Sequence, residues 1–430
     1  MRTAAFTSAA LFFVLCTSEL VAQEPGTVLI RAGRLFDSEA GAFLENQDIL
    51  VRGSRIAAVG PGLALPDGAE TIDLGNYTVL PGLIDAHTHL LYLEDLSGSL
   101  TTEGLKALLL EGEPLRALHG AARARTFLDA GITTIRDLGN SGMFVDRALQ
   151  RAIQDGSVPG PRMIVSGPGL SPVGGQFPGL QPEYADLAAR EYRIVAGPED
   201  AAEAVRENVT FGADVIKIFS NNTPNPGYLS VAEMRAIVDE AEVMGVRVAA
   251  HATDDRSIWR AVEAGVHSIE HGYQVTDSTL RFMKERGVAL VPTDADSVTI
   301  MRFLELSGES APGQGLSYLA SRRARLRRAK TLGVTIVAGS DAYIDIAGPQ
   351  GEAARRMLFA YHQAGLTPIE VLQAATLNGA ELLGGEGRIG VIKPGAMADI
   401  IALEGNPEVD FDALERVRFV MKAGQVYRQP

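Results

Sequence analysis

Between residues 81 and 385 the chain alternates short apolar runs with longer stretches whose apolar residues recur at three-to-four spacing. Runs too short for a helix and rich in Val and Ile read as strands buried on both faces. The stretches between them, such as VAEMRAIVDEAEVMG from Val231 to Gly245, read as amphipathic helices. Eight apolar runs stand out: LIDAH (83–87), ITTIRD (132–137), RMIVSG (162–167), VIKIF (215–219), VRVAAH (246–251), VHSIEH (266–271), VALVPT (288–293) and TIVAGSD (335–341).

The flanks follow another pattern. From Thr27 to Leu80, alternating strands are separated by Gly, Pro and Asp turns, and similar strands return in ADIIALEGNP and RVRFVMKAGQVYR, between Ala398 and Arg428. Together these features predict an α/β fold. A (β/α)8 TIM barrel spans 81–385, and both termini (27–80 and 386–430) build one small β-sandwich domain. In such a barrel the chemistry belongs at the C-terminal ends of the strands.

Composition narrows the function classes. With 430 residues, 46% of them hydrophobic, the chain can bury a large core, and its 46 glycines and 21 prolines are scattered, leaving no low-complexity stretch. A formal charge of −14 without clustered basic and aromatic residues excludes a nucleic-acid surface. The single basic run, RRARLRR from Arg322 to Arg328, reads as the solvated face of a helix.

The first residues carry a charge at Arg2, an apolar stretch from Ala4 to Val14 and small residues up to Ala22. That is the layout of a secretory signal, so residues 1–22 are expected to be removed and the mature protein to be periplasmic or secreted. No later segment is apolar enough for a permanent membrane span. The only cysteine, Cys16, lies inside this signal, and the bulky Leu15 before it disfavours a lipid anchor there.

His87 and His89 close the first run; side chains at i and i+2 of a strand project to one side, so both imidazoles can converge on one metal. Lys217, His251, His271 and Asp341 then arrive at the ends of later runs. Singly, each is an ordinary structural residue. Arriving together at one rim, they form a constellation able to hold metal ions.

These motifs, PGLIDAHTH, AGITTIRDLG, GADVIKIF, GVHSIEHG, GSDA, GLTPIEVLQAATLNGA and IKPGAMADIIAL, resemble the amidohydrolase superfamily from about Thr27 onward. The similarity points to the branch with imidazolonepropionase-like proteins, bacterial Xaa-Pro dipeptidases and ochratoxin-hydrolysing amidases. The resemblance implies two divalent metal ions, with His87, His89 and Asp341 on one, His251 and His271 on the other, and Lys217 carboxylated by CO2 to bridge them. Chemistry supports that last step: a bare ammonium is repelled by two dications, whereas a carbamate is an anionic oxygen donor. Zinc suits the donors best; manganese, cobalt and iron fit the same types. The implied mechanism is attack by a metal-bridging hydroxide, with Asp341 as general base and then general acid. Relatives of this kind also imply a homo-oligomer.

Three further residues are candidates for substrate contact. Arg136 suits a carboxylate, unless an ion pair with Asp137 or another rim acid claims it. Tyr228 lies in the loop after the Lys217 strand, where packing is the plain alternative. Gln176, in Gly174-Gly175-Gln176, replaces the histidine common in this branch, which puts direct transfer of dipeptidase specificity in doubt. His267 reads as a core residue, and His119 and His362 as helix-surface residues.

The leading expectation is therefore a binuclear amidase or dipeptidase acting on a dipeptide or N-acyl amino acid. A cyclic amide is the substrate of imidazolonepropionases, but these use one metal and lack the bridging lysine. An ester or lactone would meet the same nucleophile. A non-catalytic binding protein would have lost ligands, and here every ligand position is filled.

Overall fold

The computed structural model describes residues 26–96, 100–222, 225–307 and 312–430; the expected signal segment and Cys16 lie outside the described residues. The N-terminal strands are β1 (Thr27–Asp37), β2 (Ala42–Arg52), β3 (Arg55–Gly60) and β4 (Glu70–Pro81). The central ones are β5 (Leu83–Thr88), β6 (Ile132–Asp137), β7 (Arg162–Val165), β8 (Gly169–Ser171), β9 (Tyr192–Ile194), β10 (Val215–Phe219), β11 (Arg247–Ala252), β12 (Ser268–His271) and β13 (Ala289–Val291). β14 (Ile400–Glu404), β15 (Val417–Lys422) and β16 (Gln425–Arg428) complete the chain.

Both termini do share a sheet, of seven strands in the order β16-β15-β14-β4-β1-β2-β3. It differs from the expectation in being one hydrogen-bonded sheet with a parallel pair, β1 with β4. The β2–β3 meander leaves β3 running in the direction of β1, and β4 then adds on the far side of β1 in that same direction. Its alternate residues, among them Ile30, Ile49, Leu74, Val79, Ile400 and Phe419, form their own apolar cluster.

The central strands are parallel and fall into two sheets, β5-β6-β7 and β13-β12-β11-β10-β8-β9. β5, β6 and β10 are buried at every position, which is why they read as continuous apolar runs rather than alternating ones. The expected third strand is split: β7 ends at Val165 and β8 begins at Gly169, with Gly167 at φ +61 and Pro168 between them. The expected eighth strand, 335–341, forms only an isolated bridge at Ile336, to Leu290. Its backbone nonetheless bonds to both neighbours: Val337 N–H to Leu290 O (2.9 Å) on one side, Ala86 N–H to Ala338 O (2.8 Å) and Asp341 N–H to His87 O (2.8 Å) on the other. Gly339 explains the irregularity, because a Cβ there would lie 2.3 Å from Val291 and 3.0 Å from the Cβ of His87.

Capped helices return the chain after β10, β11, β12 and β13. Ser230 and Glu233 form a reciprocal cap on the helix Val231–Val243, while Asp254, Thr276 and Asp296 cap the next three. The caps fix where each loop turns into a helix, and so fix the rim on which β10, β11 and β12 end. Among the described residues no helix is long and apolar enough to cross a membrane.

Candidate metal centre

Lys217, His251 and His271 reach one rim because β10, β11 and β12 are parallel neighbours, and His87 joins them from the end of β5 in the adjoining sheet. His251 pairs with Phe219 across β10 and β11, and His271 with Ala252 across β11 and β12. The ring centroids of His87 and His271 are 5.1 Å apart, those of His251 and His271 4.6 Å. One ligand atom from each of His87, His271 and Asp341 falls within 4.8 Å of the others. All six expected ligands line a single cavity of about 550 Å³.

Three of the four histidines are held in the neutral form. Burial, then the neighbouring Lys217, pushes His251 down to about 3; His87 and His271 lie well below the usual imidazole range, burial again being the main cause. The Nδ1–H of His87 donates to Glu270 at 2.7 Å, which leaves the Nε2 lone pair buried and without a partner. His251 Nε2 is likewise buried and unpartnered. His89 donates its Nδ1–H to Gly139 O (2.8 Å), and its Nε2 faces Asp341 Oδ1 at 3.1 Å, a hydrogen bond to the carboxylate that, against the pull of burial, raises its pKa. Orphaned imidazole nitrogens converging on a carboxylate fit a metal site.

Lys217 is fully enclosed, with its ammonium 5.3 Å from the Phe219 ring centroid, and burial pushes its pKa down to about 8. A fraction of it is therefore a free amine at neutral pH, the form that can react with CO2. Gly169 on β8 makes the room: a Cβ there would meet Phe219 at 2.6 Å and the Lys217 side chain at 3.3 Å.

Backbone strain marks the same place. His271, Thr293 and Asp341 all have left-handed φ, at +71°, +53° and +52°. Such strain persists only where surrounding contacts hold it. Here Thr293 Oγ1 bonds His271 Nδ1 (2.8 Å), and Arg325, paired to Asp294 at 2.6 Å, donates to the His271 carbonyl.

The three substrate-contact candidates part company. Gln176 lines the cavity. Arg136 does not: it is buried beneath the rim, donating to Ala86 O (2.6 Å), Ser268 Oγ (3.2 Å) and Glu270 Oε1 (2.8 Å), so its fork is already filled. Tyr228 is 40% exposed and bonds Asp254 (3.2 Å) outside the cavity. His267 accepts from the Val248 N–H and is structural; His362 stacks on Phe411, and His119 is half-exposed near Glu111.

The basic run also needs correction. Arg325 is 1% exposed, and Arg322 lines the cavity, because both face inward from the helix Pro312–Thr331. Glu270 and Asp85 escaped the sequence reading as well. Asp85 accepts from the His87 and Ser340 N–H groups, tying β5 to the segment before Asp341, and burial lifts its pKa to about 7. The alternation of Ser268 and Glu270 along β12 was the available signal for a buried acid.

A second, largely apolar cavity of about 460 Å³ adjoins the first, sharing Tyr273, Tyr318, Asp341 and Tyr343 and lined by Ile300, Phe303, Leu304, Ile344 and Met357 among others.

Known proteins are similar to this chain in sequence and fold. An ochratoxinase from Aspergillus niger is 30% identical, over 95% of this chain and 88% of that protein. An imidazolonepropionase from Symbiobacterium thermophilum is 28% identical over 83% of both chains. The solved structure of a Xaa-Pro dipeptidase with methionine bound in its active site superposes with a TM-score of 0.81 at 28% identity, over 94% of this chain and all of the other. The amidohydrolase family matches this chain over residues 78–427, and the chain belongs to that family.

Proposed function

We propose that the protein is a binuclear metal-dependent hydrolase that cleaves the amide bond of a dipeptide or N-acyl amino acid. The observation that carries the reading is the convergence of His87, His271 and Asp341, with the unpartnered Nε2 atoms of His87 and His251 beside the buried Lys217. His87, His89 and Asp341 would hold one ion, His251 and His271 the other, and carboxylated Lys217 both. Two such ions, zinc by donor chemistry, polarise a carbonyl and lower the pKa of water when bound. The protein's own part is to orient and to move a proton. Asp341, at the cavity wall and 13% exposed, accepts a proton from the attacking water and returns it to the leaving amine nitrogen. Neutral His87 and His251 keep their lone pairs available because burial disfavours their protonated forms.

The ring of parallel strands around this site we read as an eight-stranded barrel, closed through residues 335–341 by their bonds to Leu290 and Ala86. Export of the chain and its self-association belong to the same proposal. The test is amino-acid release from a panel of Xaa-Pro and other dipeptides and N-acyl amino acids by zinc-loaded protein, with Lys217→Ala as control. Release that vanishes in the control supports the reading. No release with two ions bound overturns it in favour of cyclic amides, esters or lactones.

A further inference from the structure

Among the described residues, the cavity holds one strong cation outside the candidate metal centre. Arg322 lies along its wall with the guanidinium carbon 3.5 Å from the Tyr273 ring centroid and 4.6 Å from that of Tyr318. Three other arginines of the same helix have polar partners: Arg323 bonds Gln363, Arg325 bonds Asp294, and Arg328 bonds Asp277. Arg322 has none. Its Nε is buried without a hydrogen bond, and among the described residues no carboxylate lies within ion-pair distance of it.

Stacking on two phenols holds a guanidinium by its faces and leaves its N–H edge unspent. That edge is a planar fork matched to a carboxylate. Tyr273 also touches the metal centre, its hydroxyl lying 3.4 Å from His271 Nδ1, so a single phenol ring separates Arg322 from a metal ligand. Asp341, the one carboxylate among the described residues that line this cavity, faces the imidazoles of His87, His89 and His271 instead.

We infer that Arg322 is the specificity-determining residue that binds the free α-carboxylate of the substrate's leaving amino acid. The role first suggested for Arg136 thus passes to a residue on a different element. This inference rests on the amide-hydrolase reading and narrows it to substrates ending in a free carboxylate. Neutral amides, lactones and C-terminally blocked peptides would lack the anchor.

The test pairs binding with turnover in the zinc-loaded full chain. Calorimetry with L-methionine and L-methioninol, which differ only in carboxylate against alcohol, measures the anchor without any reaction. Wild type should prefer methionine by roughly 10- to 100-fold, the range for a charge-assisted hydrogen-bonded pair. Arg322→Ala should abolish that preference, and Arg322→Lys should keep part of it by retaining charge without the fork. In turnover, Arg322→Ala should raise KM for a dipeptide far more than for the same dipeptide amidated at its C-terminus, with kcat changed little. Equal binding of the two ligands by wild type, or an undiminished preference in Arg322→Ala, overturns the inference. So does an equal loss on blocked and unblocked substrates, the signature of a merely structural stack. Should Arg322→Ala not fold, Arg322→Gln serves in its place with the same readings. Failure of every amide to turn over would sink the hydrolase reading, while the methionine preference would still decide the anchor.

Discussion

One oxygen of Glu270 accepts the Nδ1–H of His87 at 2.7 Å while the other takes Arg136 at 2.8 Å, so a fully buried carboxylate sets the tautomer of a metal-ligand candidate and neutralises a buried guanidinium at once. A histidine whose Nδ1 is engaged in this way presents Nε2 as its donor atom.

Glu270→Gln should therefore do two things. It leaves Arg136 without its countercharge in a dry environment, which costs about 3–5 kcal/mol of stability. It also loosens His87, lowering metal affinity roughly 10- to 100-fold. Denaturant unfolding and a competitive metal titration check these separately. Unchanged metal affinity in a folded variant would mean that Glu270 only neutralises Arg136.

Removal of metal ions should destabilise the protein, because the ligands converge only in the folded state and bound ions stabilise by mass action. Dialysis against a chelator should lower the melting temperature and readdition of zinc should restore it. Lys217→Ala should lower the metal content of the purified protein below two per chain. A melting curve indifferent to chelator, in protein shown to carry metal beforehand, would sink the binuclear site.

Asp294→Ala should be severe despite lying outside the ligand set. Asp294 and Arg325 are both buried, and the arginine also holds the carbonyls of His271 and Pro292. An uncompensated buried cation costs about 3–5 kcal/mol. The left-handed backbone at His271 loses its clamp in the same step. A loss below about 1 kcal/mol in equilibrium unfolding would show that the pair carries no such strain.

Asp146 supplies a pH-dependent stability term. Burial, reinforced by Asp137, raises its pKa to about 7 from 3.8. The folded state then binds more protons than the unfolded one within that window, so the contribution is fully present below about pH 4 and is lost as pH rises through about 7. Asp146→Asn removes the titration. The melting temperature of the variant should gain on wild type as pH rises from 4 to 8. A constant difference across that range would contradict the assignment.

Lys217 illustrates what could be read ahead of the structure. An ammonium in the middle of the apolar run VIKIF has no solvent to reach, and β10 is indeed buried throughout. The register of parallel strands carries His251 and His271 to the same rim for a local reason, since each strand end follows its own apolar run. The breaks were less legible. Gly167 and Pro168 divide the third strand, and the close approach of Gly339 to Val291 and His87 disrupts the pleat before Asp341. Both depend on neighbours far away in sequence.

By itself, the sequence determined the parallel strand–helix alternation, the candidate residues from His87 to Asp341 that gather at one cavity, and the shared sheet of the two termini, because periodicity and motif spacing are local properties of the chain. Only the tertiary structure decided the fate of the arginines. Arg136 lies under the rim because Glu270, 134 residues away, claims it, while Arg322 turns into the cavity because Tyr273 and Tyr318 stack against it. Charge partners and π faces are chosen by the packing of distant elements, and no local pattern encodes that choice.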